Sequence, residues 1–231
     1  MNEKTTKTLK YAVALSMPIL VGYLFLGFAY GVLMQQQGLS VFWTFLMSAF
    51  VFAGTLQYAA IPLLISAFNP IATFILALGI NARHLFYGLA IFDRYKKAKK
   101  TKFFLIFTMA DEAFSINASA HFDDSIKPIL FYNTVSLLSY LYWNTFTIMG
   151  HLFANSFEIT IKGLGFVLPA LFYTLFLTMW KVKEQRISMI VGLAVTLLSS
   201  LFVSDSLFIG VSMIGIVIIM GLVVQKEVNH E

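Results

Sequence analysis

Residues 11–34 of this chain read YAVALSMPILVGYLFLGFAYGVLM, and no Asp, Glu, Lys or Arg occurs between residues 11 and 82. A helix needs roughly 20 predominantly apolar residues to cross a hydrocarbon core of about 30 Å. Residues 11–34 meet that length, exceed the apolar region of a signal peptide and are followed by further apolar runs. We therefore interpret this stretch as a retained first membrane helix.

Composition extends this interpretation to the whole chain. Hydrophobic residues make up 59% of the sequence and charged residues 12%, against roughly 45–50% and about 25% in soluble domains. The sequence predicts an all-α, polytopic integral membrane helix bundle, with one transmembrane domain over residues 1–231 and seven or eight membrane segments. Apolar runs bounded by charge or turn signals fall at about 11–34, 41–68, 71–92, 103–120, 128–154, 163–180, 187–203 and 207–224.

The basic clusters conflict with a simple alternating topology. Lys and Arg gather before residue 11, from Arg94 to Lys102 and from Lys181 to Arg186, and such clusters favour the cytoplasmic side. With the N-terminus inside, three full crossings would place the Arg94 to Lys102 loop outside. One resolution is a re-entrant or broken helix near residues 53–58, which membranes tolerate where protein or a water-filled cavity satisfies the backbone. The alternative is a continuous helix kinked by Gly and Pro.

Ionisable residues interrupt two of the apolar runs near their centres. Arg83 and His84 lie in the third run, and Asp111 and Glu112 lie in the fourth. A charge at the bilayer centre costs about 2.5–3.5 kcal/mol on insertion scales, and an unpaired buried charge costs more than a paired one. We therefore predict that the two segments face each other. Adjacent helical residues point in different directions, so one member of each pair can stabilise the structure while the other faces a pathway.

Each of the remaining polar residues within the predicted membrane segments allows two interpretations. Amides in membrane helices usually form interhelical hydrogen bonds, but Gln57 follows a probable helix break and Asn81 precedes Arg83, so we expect both in a pathway. His84 suits a proton relay because it accompanies carboxylates. The alternative is a purely structural ion-pair cluster. The candidate substrate-binding or proton-coupling residues are Gln57, Asn81, Arg83, His84, Asp111 and Glu112.

Two further features favour helix packing. Gly27 and Gly31 form a GxxxG spacing that permits close helix approach. Trp143 lies in the middle of an apolar run, where most aromatic side chains pack between helices, and lining a cavity is the less frequent alternative.

The sequence also excludes several classes of protein. The net charge of +5 comes from short clusters between apolar runs, which are typical of topology signals and do not predict a nucleic-acid partner. The chain has no cysteine, so it has neither a thiolate nucleophile nor a Cys-ligated metal. Because no metal-ligand spacing, nucleotide-binding loop or hydrolase motif is present, we expect no enzyme activity, no metal and no cofactor.

Three motifs, in this order, resemble the AzlC family of bacterial branched-chain amino acid exporter subunits. They are FAGTLQ at residues 52–57, NARHLFYG at residues 81–88 and DEAF at residues 111–114. A fourth stretch, GLGFVLPA at residues 163–170, is similar to a later segment of the family. The resemblance covers nearly the whole chain. Thr55 departs from the family pattern, where a small residue such as Ala is expected, and this bears on substrate preference.

The resemblance implies a function that composition and spacing do not show. It implies proton-coupled export of leucine, isoleucine, valine or similar apolar amino acids across the bacterial cytoplasmic membrane by a multi-pass protein. It also implies a partner, a small AzlD-type membrane subunit. A non-transporting membrane scaffold or regulatory subunit is the alternative function.

Overall fold

The structure is a computed structural model that describes residues 3–67, 69–157, 163, 166, 169–170, 173, 176–177, 180–181, 183, 186–203 and 205–228. Helices account for the regular structure of these residues, and no strand occurs among them. The helices are α1 (Glu3–Gln36), α2 (Val41–Leu46), α3 (Gly54–Ile65), α4 (Pro70–Tyr95), α5 (Lys102–Phe107), α6 (Asp111–Ser119), α7 (Pro128–Phe157), α8 (Arg186–Phe202) and α9 (Asp205–Val228). A π-helical turn (Met47–Val51) extends α2, and a 3-10 turn (Lys96–Thr101) joins α4 to α5.

The chain forms two compact units. The first comprises Met1–Ile65 and Asn81–Gly165, and the second comprises Ser66–Ile80 and Phe166–Glu231. Two helical stretches, Glu3–Gln36 and Thr73–Phe107, are long and apolar enough to cross a membrane. The all-helical class is therefore confirmed, whereas the single domain and the seven or eight segments stay predictions. The predicted segment at residues 163–180 lies largely outside the described residues.

Helices α1 and α7 pack closely and run in the same direction. Their contacts keep a constant register, because Tyr11 packs on Phe131, Tyr23 packs on Trp143, and Gly31 faces the Thr147 to His151 turn at the other end. A Cβ atom on Gly31 would overlap the backbone carbonyl oxygen of Thr147. The GxxxG prediction is therefore confirmed at Gly31, where only a glycine allows the two backbones to approach so closely.

One end of the first unit, here called the basic end, carries the start of α1, the end of α4 with the loop that follows it, and the loop between α6 and α7. Lys4 Nζ donates to the Asp124 carbonyl oxygen at 2.9 Å, which joins α1 to the loop between α6 and α7. Arg94 Nη1 donates to the Ala120 carbonyl oxygen at 2.9 Å, which joins the end of α4 to the same loop. Hydrogen bonds from Ser125 hold the pKa of Asp123 in this loop below its usual value. The N-terminal lysines and the loop from Arg94 therefore lie at one end.

Residues 41–65, here called the first hairpin, enter the bundle from the end opposite the basic end and turn back. Its first arm, α2 with the π-helical turn, runs along α7 toward the basic end. Thr44 bonds His151 at the start of this arm, and the Phe52 ring contacts Tyr140 at its end. The returning arm, α3, then places the Tyr58 hydroxyl 2.6 Å from the carbonyl oxygen of Leu26. The predicted break is therefore real, and of the two alternatives the continuous kinked helix is wrong.

The helix breaks at Phe52 and Ala53, just before Gly54. Phe52 has φ 41° and ψ 44°, a left-handed conformation that costs a non-glycine residue on the order of 1–3 kcal/mol. Tyr140 partly offsets the lost helical hydrogen bonds, since its hydroxyl donates to the Ala49 carbonyl oxygen at 3.0 Å. Because α3 begins at this break, its first backbone N–H groups lie inside the bundle and have no acceptor within their own helix.

Residues 102–119, here called the second hairpin, enter from the basic end. Asn133 Nδ2 bonds Thr101 Oγ1 beside the first residue of α5, and Phe107 at the end of α5 reaches Tyr140. The chain then reverses, and α6 returns along α7 toward the basic end, where Asn117 contacts Ser136. The membrane segment predicted at about 103–120 is therefore not one helix, because residues 108–110 separate two short antiparallel helices.

The tips of the two hairpins meet near the middle of α7. The rings of Phe52 and Phe107 are 6.4 Å apart between centroids, and both contact Tyr140. Because one hairpin enters from the basic end and the other from the opposite end, the first unit contains two interrupted helices of inverted direction. Such interruptions in membrane proteins occur where the backbone lines a binding site or a pathway.

Replacing Gly31 by Ala should severely impair folding. The added methyl group would overlap the Thr147 carbonyl oxygen and approach the His151 backbone nitrogen to 2.6 Å, and backbone atoms cannot move as a flexible side chain can. Overpacking of this kind costs about 1–3 kcal/mol or more. Gly22→Ala is the matched control, since nothing lies within 4 Å of its Cβ position. Thermal stability in detergent, followed by size-exclusion chromatography, should fall only for the Gly31 variant, and equal stability of the two variants would contradict the observed packing.

Candidate functional site

An ion pair lies between the two hairpin tips. Arg83 Nη1 is 2.9 Å from Asp111 Oδ2, and Arg83 Nη2 donates to Thr55 Oγ1 at 3.0 Å. Thr55 is in the first turn of α3 and Asp111 is the first residue of α6, so one guanidinium group from α4 bonds both hairpins. The prediction that the Arg83 and Asp111 segments face each other is confirmed.

The sequence places Asp111 and Glu112 at the start of α6 for a physical reason. A carboxylate in the first helical turn is favoured by the unpaired N–H groups and the dipole of the helix. Glu112 turns away from Arg83, and its Oε2 accepts a hydrogen bond from the Tyr23 hydroxyl at 2.8 Å. The two carboxylates therefore have different partners, as expected for adjacent residues of a helix.

Gln57 belongs to a separate buried network between the first hairpin and α7. Its Oε1 accepts from Trp143 Nε1 at 2.9 Å, and its Nε2 donates to Ser48 Oγ at 3.4 Å. Ser48 in turn donates to Thr147 Oγ1 at 2.9 Å. Gln57, Ser48 and Thr147 are fully buried. Among the described residues, the Gln57 side chain makes no hydrogen bond with Arg83, although Thr55 connects the two regions along the chain.

His84 and Asn81 flank the ion pair on α4. The His84 ring packs edge-on against Tyr87 at 5.7 Å, and Tyr87 stacks on Phe114 at 4.2 Å, which holds α4 against α6. No carboxylate hydrogen bond of His84 is present among the described residues. Its predicted part in a proton relay stays a prediction.

Three buried polar atoms around the ion pair lack a hydrogen-bond partner among the described residues. They are Arg83 Nε, Asp111 Oδ1 and Asn81 Oδ1. Arg83 and Asp111 are joined through one oxygen only, and their side chains retain 33% and 39% exposure. A guanidinium and a carboxylate that bind side by side usually use two parallel hydrogen bonds. The pair therefore keeps one donor and one acceptor that a further polar ligand can use.

Three residues of this region are not among the candidate residues named from the sequence: Tyr23, which the sequence did not single out, and Thr55 and Trp143, for which no polar partner was expected. The indole N–H of a buried tryptophan needs an acceptor, so Trp143 at mid-segment was a usable signal for a polar partner such as Gln57. The hydroxyls of Thr55 and Tyr23 carried no comparable signal. Within the described residues, no group of three His, Asp or Glu side chains is arranged to hold a metal ion.

This arrangement defines a class: a helical membrane protein with a charged site between two interrupted helices. The family described as AzlC protein matches residues 18–157, which include both hairpins, Arg83 and α7. The chain belongs to the AzlC family.

Curated relatives match this chain over most of their lengths. The chain is 36% identical to the branched-chain amino acid transport protein AzlC of Bacillus subtilis, over 87% of this chain and 79% of the relative. It is 32% identical to an uncharacterized membrane protein of Haemophilus influenzae, over 96% and 91% of the two chains. A membrane protein of Helicobacter pylori, also uncharacterized, is 28% identical over 92% and 93%. No solved structure is significantly similar to this chain.

Proposed function

We propose that this chain is the large subunit of a secondary exporter of branched-chain amino acids, coupled to proton entry and acting with a small AzlD-type subunit. The name of the Bacillus subtilis relative supports the substrate class. The resemblance to the exporter family supports the direction of transport, the proton coupling and the partner. In this proposal the chain is not an enzyme.

The single observation that carries the proposal is the incomplete ion pair between the hairpin tips. A zwitterionic amino acid needs donors for its carboxylate and acceptors for its ammonium group. Arg83 supplies the donors, because Nε has no partner, and Asp111 Oδ1 and Asn81 Oδ1 supply the acceptors. Charge-assisted hydrogen bonds of this kind are about twice as strong as neutral ones.

The surroundings of the ion pair suit an apolar side chain. The stacked rings of Tyr87 and Phe114 lie on one side, and the rings of Phe52 and Phe107 close the hairpin tips. Binding sites for small molecules commonly combine apolar and aromatic walls with a few polar groups that fix orientation. A branched aliphatic side chain against aromatic rings fits this pattern.

Two carboxylates with different partners offer a route for proton coupling. In the proposal, protonation of Asp111 weakens its bond to Arg83 and frees the guanidinium for the substrate carboxylate. Glu112, bonded to the Tyr23 hydroxyl, is the second proton acceptor, and His84 lies beside Arg83 on α4. Gln57 fixes the first hairpin on α7 through Trp143 and so shapes the site indirectly.

The positions of the basic residues support a multi-pass orientation in the bacterial cytoplasmic membrane. The start of α1 and the loop from Arg94 to Lys102 lie at the same end of the first unit, joined by the loop between α6 and α7. In the proposal this basic end is cytoplasmic, since short loops rich in Lys and Arg stay on that side. The first hairpin then opens from the outside, and the topological conflict of three full crossings disappears.

Labelled leucine retention tests the transport function. Cells that lack branched-chain amino acid exporters are loaded with labelled leucine and made to express this chain together with a small AzlD-type subunit. We expect several-fold faster loss of label than in cells with either protein alone, and a protonophore should abolish the difference. Equal retention in all cells would favour the alternative of a scaffold or regulatory subunit.

A further inference from the structure

We infer that Thr55 is a positioning residue that sets the affinity of Arg83 for the substrate carboxylate, by holding the guanidinium in its one-oxygen bond to Asp111. This inference rests on the proposed function. It adds Thr55 to the proposed binding site, although Thr55 is not among the candidate residues named from the sequence. Thr55 touches Arg83 through one hydrogen bond, from Nη2 to Oγ1 at 3.0 Å.

The Thr55 hydroxyl is available for this bond because of the helix break. Threonine hydroxyls in helices usually bond the backbone carbonyl three or four residues earlier. Thr8, Thr108 and Thr134 do so in this chain, at 2.7–2.8 Å. Thr55 is the second residue of α3, and the two residues before Gly54 are not helical. Its hydroxyl therefore accepts from the neighbouring helix.

The bond to Thr55 controls how Arg83 meets Asp111. The guanidinium uses Nη1 for Asp111 Oδ2 and Nη2 for Thr55, while Asp111 Oδ1 remains without a partner. Without the Thr55 hydroxyl, Nη2 is free to turn to Asp111 Oδ1 and close a two-bond pair. Such paired bonds are the stronger geometry for arginine and carboxylate. A closed internal pair would compete with the substrate carboxylate for the same donors.

The same bond joins substrate binding to the first hairpin. Arg83 contacts the second hairpin through a charged partner and the first hairpin through a neutral one. Hydrogen bonds that involve a charged group on both sides are stronger than those with a neutral partner. Thr55 therefore holds Arg83 without the charge competition that a second bond to Asp111 would bring, and it ties the substrate-binding guanidinium to the first hairpin.

The test compares Thr55→Val with Thr55→Ser, because valine has the shape of threonine without its hydroxyl and serine keeps the hydroxyl. Everted membrane vesicles that contain the chain and its small subunit take up labelled leucine in the direction of export. We expect Thr55→Val to raise KM about tenfold, the order for one charge-assisted hydrogen bond, with the maximal rate largely kept. Thr55→Ser should restore a KM close to that of the unchanged chain.

Thr134→Val is the matched control. Its hydroxyl bonds only the Leu130 carbonyl oxygen of its own helix among the described contacts, so its removal should leave KM unchanged. Equilibrium dialysis of labelled leucine against the purified complex provides a second measurement, in which Thr55→Val should bind about tenfold more weakly.

The outcomes separate the inference from the proposed function. An unchanged KM in Thr55→Val, a fall in maximal rate alone, or no restoration by Thr55→Ser would overturn the positioning role while export itself stands. Vesicles of the unchanged chain that take up no leucine would overturn the proposed function, and the inference with it.

Discussion

Arg83→Gln is expected to abolish leucine export while the protein still reaches the membrane. Glutamine retains a polar side chain but has neither the charge nor the fork of donors that a carboxylate binds. Two charge-assisted hydrogen bonds of about 1.5–3 kcal/mol each correspond to a loss of roughly 10²-fold to 10⁴-fold in the transport rate at low leucine. Initial rates of labelled leucine uptake into everted vesicles measure this loss directly.

Two further arginine variants make this result specific. Arg83→Lys keeps the charge as a point donor and should recover only part of the rate, because a lysine cannot bond Thr55 and Asp111 in the same plane. Arg94→Gln is the control on the same helix, since Arg94 bonds the Ala120 carbonyl oxygen at the basic end. Arg94→Gln should keep most of the export. Normal export by Arg83→Gln would refute the site assignment.

Exchange of the two charges is expected to restore the fold without restoring export. Arg83→Asp alone places two carboxylates together, and Asp111→Arg alone places two guanidinium groups together. Breaking a fully buried ion pair costs about 3–5 kcal/mol, and the cost here is smaller because the side chains keep 33% and 39% exposure. Both single variants should therefore lose thermal stability, and the double variant should recover most of it.

The export rate of the double variant distinguishes an ion pair that is only structural from one that binds the substrate. In the double variant the cation lies on α6 and the anion on α4, so the substrate carboxylate no longer meets its donors beside Thr55. We expect the stable double variant to be inactive. Recovery of both stability and leucine export would mean that Arg83 and Asp111 only hold the two helices together.

Much of the site could be predicted from the sequence because charge in an apolar run is costly and needs a partner. Arg83 and Asp111 each lie in the middle of an apolar run, and the structure pairs them at 2.9 Å. Gly54 indicated the first break correctly to within two residues. These features follow from local chemistry, which a single sequence is enough to predict.

The second hairpin could not be predicted in the same way. Residues 108–110 are Thr, Met and Ala, without the Gly or Pro that usually marks a break. The usable signal was Asp111 followed by Glu112, since acidic residues favour the first turn of a helix. Within an apolar run, however, the same two residues also fit charges in the middle of one helix, and the run alone does not distinguish that case from the start of a second helix.

The contacts of individual hydroxyl groups depend on the tertiary structure. Thr55 departs from the expected family pattern, but only the approach of α4 to the start of α3 gives its hydroxyl a partner in Arg83. Tyr23 likewise meets Glu112 across 89 positions of the chain. Such pairs depend on the register of α1, α3, α4 and α6, which periodicity alone does not fix.

An experimental structure of the complex with leucine bound tests the central claim most directly. We expect the leucine carboxylate within hydrogen-bond distance of Arg83, its ammonium group at Asp111 or Glu112, and its side chain against the aromatic rings at the hairpin tips. Leucine bound elsewhere in the bundle, with the Arg83 to Asp111 pair unchanged, would contradict it.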